Sequence, residues 1–144
     1  MRAHDAPYFN PGSGTMVIEL RMLVWSVVLG LVQIALAATA SMVQRGPAWA
    51  ASSRDQAGTV LTGVGGRLDR ARGNFLETFA FFAALVLAVV MLGRQDAMTA
   101  LGAQLYFWAR LVYVPVYAAG IPYLRTLVWA VSIVGIVMLL GVLF

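Results

Sequence analysis

The sequence predicts an all-α integral membrane protein built as a bundle of four membrane-spanning helices, and three observations carry that prediction. Of its 144 residues 61% are hydrophobic and only 11% charged, with a mean hydropathy of +0.83, too little polar surface to cover a water-soluble globule of this size. The charges that exist cluster between long charge-free runs. Those runs end at the Gly, Pro and short polar turns that stop helices.

In chain order, residues 1–15 are polar and rich in Pro and Gly and lack the apolar centre of a signal peptide. They are expected to be a disordered extension ahead of a single domain spanning 16–144, with Met16 as a natural start. The only His, His4, falls in this extension, which makes it a solvated tail residue and leaves no His for catalysis or a metal site. The first span, Met22 to Gln44, is 23 residues without a charge, long enough to cross with some tilt. Glu19 and Arg21 precede it as interfacial residues, and Arg45, Gly46 and Pro47 close it. Residues 46–66 are rich in Gly, Ser and Ala without strong periodicity and read as a loop.

The second span is expected over about 69–93. Its charge-free part, Thr78 to Gly93, covers only about 24 Å at 1.5 Å per residue, short of a hydrocarbon core of ~30 Å. Beginning the span at Asn74 closes the gap and carries Asn74 and Glu77 into the membrane edge. An ionisable group there costs up to roughly 2.5 to 3.5 kcal/mol at a helix centre and less near an end, so it normally faces protein and has a partner. Arg67, Arg70, Asn74 and Glu77 are spaced three, four and three apart, which aligns them on one helix face.

Arg94, Gln95 and Asp96 form a turn short enough to make the second and third spans antiparallel neighbours. The third span, Ala97 to about Ala119, contains Arg110, with Tyr113 and Tyr117 three and seven residues on along the same face and Pro115 placed to kink the helix. Paired Tyr near a membrane surface also fits an aromatic belt. Gly120 and Pro122 separate it from the fourth span, Pro122 to Phe144. Arg125 sits in the first turn of that span, where the macrodipole favours an anion over a cation; a bound anion accounts for the mismatch, and an exposed interfacial Arg is the alternative.

All ten basic residues are Arg, whose planar fork suits carboxylates. There is no Cys, so a thiol in any chemistry here must come from a ligand. Six Arg lie in the connections between spans one and two and between three and four, against three (Arg2, Arg21, Arg94) on the other side. That bias places those connections in the cytoplasm and both termini outside. Arg45, Arg70, Asn74, Glu77, Tyr117 and Arg125 then share one membrane face.

The pattern R-x-x-R-A-x-x-N-x-x-E (Arg67, Arg70, Ala71, Asn74, Glu77), followed by A-R-x-x-Y-x-x-x-Y (Ala109, Arg110, Tyr113, Tyr117), resembles the membrane-associated proteins in eicosanoid and glutathione metabolism, the MAPEG family. The resemblance runs from Met16 to the C-terminus, and the stretch Pro115 to Trp129 looks most like the bacterial branch. It implies a homotrimer of four-helix subunits, and with the Arg bias the expected location is a bacterial inner membrane with both termini periplasmic. It also implies glutathione as co-substrate, bound at subunit interfaces on the cytosolic side. The expected partners are the bilayer and a lipophilic small molecule, with no nucleic acid.

Carried over position by position, the resemblance implies glutathione contacts from Arg70, Asn74, Glu77, Tyr113 and Tyr117. It adds Arg110 as the Arg of the third-span motif and Arg45 as a contribution from a neighbouring subunit. Arg125 matches the thiolate-stabilising Arg if one residue is deleted between Tyr117 and Arg125, and Tyr117 could donate to the sulfur. Two positions depart from the pattern: Ala80 stands where a Pro is frequent, and Thr78 where a Tyr often follows the motif Glu. The implied function is a glutathione transferase or peroxidase acting on lipophilic electrophiles. The alternatives are a non-catalytic lipid- or partner-binding protein of the same fold, and a small proton-coupled exporter, which Glu77 near a helix end among Arg fits poorly.

Overall fold

The structure is a computed structural model that describes residues 16–53 and 58–144. The expected extension 1–15, with Arg2 and His4, lies outside the described residues, as do Arg54 and Asp55. Among the described residues five helices follow one another: α1 (Ile18–Arg45), α2 (Pro47–Ala51), α3 (Gly63–Met91), α4 (Ala97–Ala119) and α5 (Pro122–Gly141). α4 and α5 form the most extensive pair, while α1 packs on both α3 and α4.

Three of these helices, α1, α3 and α5, are long and apolar enough to cross a membrane. α4 was expected to be a fourth span. Its 23 residues have the length, but Gln104, Arg110 and three Tyr lower its mean hydropathy. Arg110, Tyr106 and Tyr113 are buried inside the bundle, so α4 carries its polar groups on an inner face. The outer surface is the reverse, with Val24, Leu31, Val43, Phe81, Met91 and Leu127 among its exposed side chains. That inversion suits lipid as solvent.

α3 begins six residues before the expected start at Asp69, and α2 occupies part of the expected loop. The reason for the early start is tertiary. The Gln44 side chain of α1 accepts from the Thr62 N–H at 3.0 Å and donates to the Thr62 carbonyl at 3.1 Å, which holds the chain at the entry to α3. Gly65 then packs against Ala40, where a Cβ would lie 3.2 Å from the alanine methyl.

At the opposite end, Asp96 caps α4. Its carboxylate accepts from the Thr99 N–H at 2.7 Å, and the Thr99 hydroxyl accepts from the Asp96 N–H at 2.8 Å, a reciprocal capping box. Arg94 donates to the Val142 carbonyl at 2.9 Å just beyond α5, where a cation complements the helix end. The core between these ends is aromatic and aliphatic: Phe75, Phe82 and Val86 from α3, Tyr106 and Phe107 from α4, Leu139 from α5 and Leu29 from α1. The rings of Phe82 and Tyr106 stack at 3.9 Å. Where α4 crosses α5, Gly102 and Gly135 face each other. A Cβ on Gly102 would sit 2.9 Å from the Gly135 carbonyl oxygen, and one on Gly135 would sit 2.9 Å from the Tyr106 nitrogen.

Glu19 departs from its expected interfacial place. It is 3% exposed, and its carboxylate accepts from the Thr99 hydroxyl at 2.5 Å. The site lies in the first turns of both α1 and α4, so two helix N-termini favour the negative charge. Hydrogen bonds to charged groups contribute about 1.5 to 3 kcal/mol. Glu19→Ala is therefore expected to lower the thermal midpoint of the detergent-solubilised protein, while Arg21→Ala, which removes an exposed side chain, leaves it unchanged. Equal midpoints for wild type and Glu19→Ala would dispose of the clasp.

Candidate functional site

One turn after another, α3 presents Arg70, Asn74 and Glu77 on one face, as the three- and four-residue spacing requires. This face forms one wall of a cavity of about 610 Å³ whose other walls are Tyr113 and Tyr117 from α4 and Arg125, Thr126 and Trp129 from α5. Pro115 lies between the two tyrosines, and the left-handed Gly120 (φ 78°) ends α4 and lets the chain turn into Pro122 and α5. That turn brings Arg125 back over the tyrosine face. Its guanidinium carbon is 4.9 Å from the Tyr117 ring centre, and the Tyr113 and Tyr117 rings are 5.3 Å apart.

Arg70 and Glu77 have no hydrogen-bond or ion-pair partner among the described residues. They sit seven residues apart on the helix, about 10 Å along its axis, and do not pair with each other. The single ion pair among the described residues joins Asp69 and Arg72 at 2.8 Å, one face round on the same helix. Arg67, the first Arg of the motif, turns away. Its Nε donates to the Gly63 carbonyl at 3.4 Å and its guanidinium lies against Gly120 at the C-terminal end of α4, where a cation is favoured.

Arg110 lies beneath this wall. At 1% exposure it is the largest fully buried side chain. It donates through Nη1 to the Asn74 Oδ1 at 2.6 Å and through Nη2 to the Thr78 hydroxyl at 2.7 Å, with the rings of Tyr106 and Tyr113 at 5.6 and 5.4 Å. Its Nε is buried without a partner among the described residues. Thr78, which stands where the family pattern often has a Tyr, thus receives this arginine and in turn approaches the Tyr106 hydroxyl at 3.2 Å. Arg110 reaches the cavity through Asn74 and is not among its lining residues.

Arg45 is the other expected site residue outside this cavity. It lines a second one of about 390 Å³ beside α1, with its guanidinium 4.3 Å from the Trp49 ring and its Nε donating to the Thr59 carbonyl at 2.7 Å. Asp69 and Arg72 line both cavities and form the partition between them.

The structure therefore gathers Arg70, Asn74, Glu77, Tyr113, Tyr117 and Arg125 in one cavity within a single chain. Five lining residues escaped the sequence reading: Asp69, Arg72, Gly73, Thr126 and Trp129. Trp129 lies four residues after Arg125, the helical spacing that places two side chains on one face, so the signal was present. Beside the mutually paired Asp69 and Arg72, the cavity offers two guanidiniums (Arg70 and Arg125), a carboxylate, an amide, two phenols and an indole. Such a set holds a zwitterionic ligand bearing carboxylates and an amine.

Comparison with curated proteins returns no significant match. A family model described as the MAPEG family matches residues 22–144, a stretch that takes in all of α2 to α5, nearly all of α1 and every cavity residue named above. With three helices apolar enough to cross a bilayer and this match over nearly the whole chain, the protein is an integral membrane member of the MAPEG family.

Proposed function

We propose that this protein binds glutathione in the cavity between α3, α4 and α5 and activates its thiol toward lipophilic electrophiles that enter from the bilayer, as a transferase or peroxidase. The observation that carries the reading is the pair of unpartnered charges, Arg70 and Glu77, on either side of Asn74 and opposite the two tyrosines and Arg125. Glutathione has two carboxylates and one ammonium. Arg70 suits a carboxylate, Glu77 the ammonium, and Arg125 at the N-terminus of α5 the sulfur. A volume of about 610 Å³ falls within the ~300 to 1,000 Å³ of small-molecule sites.

Glu77 is exposed on the single chain despite its place in a membrane-capable helix. Polar membrane faces of this kind are covered by neighbouring helices, which supports assembly as a homotrimer, with Arg45 reaching a neighbour's ligand. The Arg bias supports a bacterial inner-membrane orientation with the site on the cytosolic side and both termini periplasmic, and with α4 as the fourth span. Mass measurement in mild detergent checks for three copies, and a reporter fused after Phe144 checks the orientation.

Titration of glutathione into the purified protein tests the function. Glu77→Gln is expected to weaken binding by about 1.5 to 3 kcal/mol, the range for hydrogen bonds to charged groups, roughly 10- to 150-fold. A folded variant with unaltered affinity would take Glu77 out of the site, and a wild type that binds no glutathione would end the proposal. Binding without a thiolate signal or turnover would leave the non-catalytic reading in its place.

A further inference from the structure

Three aromatic side chains line the cavity, and two of them are already engaged. Tyr113 and Tyr117 lie against each other at 5.3 Å, with Arg110 5.4 Å from the first ring and Arg125 4.9 Å from the second. Trp129 is different. It is 38% exposed and has no ring, cation or side-chain hydrogen-bond partner among the described residues. It follows Arg125 by four residues, so its indole stands on the same face of α5 about 6 Å further along the axis. The neighbouring Thr126 hydroxyl donates back to the Pro122 carbonyl at 3.2 Å, which leaves the indole as the principal surface that α5 offers beyond the guanidinium.

We propose that Trp129 is the platform for the second substrate and that this substrate is planar, an aromatic or conjugated electrophile that stacks on the indole. The inference rests on the glutathione reading of the cavity. With the sulfur beside Arg125, a substituent growing from it passes over Trp129, one helical turn deeper into the apolar part of α5. A flat π-system gains there what an alkyl chain of similar size does not, because aromatic pairs attract beyond the area they bury. The competing account is a tryptophan at the membrane–water boundary, frequent in any membrane helix and indifferent to the ligand.

The two accounts separate in a binding experiment with three probes: glutathione, S-hexylglutathione and S-(2,4-dinitrophenyl)glutathione. The wild type is expected to prefer the aryl conjugate over the hexyl one by roughly three- to tenfold. Trp129→Leu, which keeps an apolar side chain without a π-face, reduces that ratio to about one, and Trp129→Phe retains most of it. Folding of both variants is read from their thermal midpoints in detergent, and the aryl-to-hexyl ratio cancels any change in affinity for the glutathione part that the two conjugates share. An unchanged ratio in Trp129→Leu, or no preference in the wild type, overturns the platform while leaving the glutathione site intact. A wild type that binds neither conjugate nor glutathione overturns the underlying reading instead.

Discussion

Gly135→Val should prevent α5 from docking on α4. The added Cβ would meet the Gly102 carbonyl and the Tyr106 nitrogen, both backbone atoms of α4 that no rotamer change can move aside. Overpacking against flexible side chains costs about 1 to 3 kcal/mol, and two backbone contacts raise the penalty above that range. Against a total stability on the order of 5 to 15 kcal/mol, this is enough to lose the folded state at moderate temperature. Gly141→Val is the control, since nothing lies within 4 Å of that position. The measurement is the thermal midpoint and monodispersity of both variants in detergent. A Gly135→Val protein as stable as the control would mean that α4 and α5 do not cross at these two glycines.

The second large effect is catalytic. If the glutathione thiol sits beside Arg125, the guanidinium and the N-terminus of α5 both favour the thiolate. Lowering a thiol pKa by two units from about 8.5 takes about 2.7 kcal/mol of differential stabilisation. At pH 7 the thiolate fraction then changes from about 3% to about three quarters, so Arg125→Ala is expected to lose the thiolate absorbance of bound glutathione and about 25-fold or more in turnover. Binding itself should persist through Arg70 and Glu77. A thiolate signal that survives in Arg125→Ala would remove Arg125 from the activation of sulfur.

Helical spacing alone makes much of this site legible in the sequence. Arg70, Asn74 and Glu77, and likewise Tyr113 and Tyr117, stand on their helices at intervals of three, four and seven, which decide a shared face whatever surrounds them. The same rule applied to Arg125 would have found Trp129. Other features had no local signal. Glu19 meets Thr99 across 80 residues of chain, and nothing near Glu19 in sequence distinguishes a buried carboxylate from an interfacial one. The start of α3 at Gly63 lies in a glycine-rich stretch that reads as loop, and becomes helix because Gln44 holds Thr62 and α1 receives the glycine face. The five residues of α2 are too few for any periodicity. Arg110 was expected among the ligand contacts, but a motif cannot reveal whether a side chain stands at a cavity wall or behind it.

The bond from Arg110 to Asn74 sets the hydrogen-bond polarity of the cavity wall. A guanidinium only donates, so the oxygen of the Asn74 amide must face Arg110, and the amide nitrogen is what remains to meet a ligand. Seen from the cavity, Asn74 is a donor with a fixed heading, buttressed by the buried guanidinium of Arg110. Ligand groups with lone pairs to offer are received there by the amide nitrogen. An Asp at this position would keep the bond to Arg110 and nearly the same shape, and would turn that welcome into its opposite.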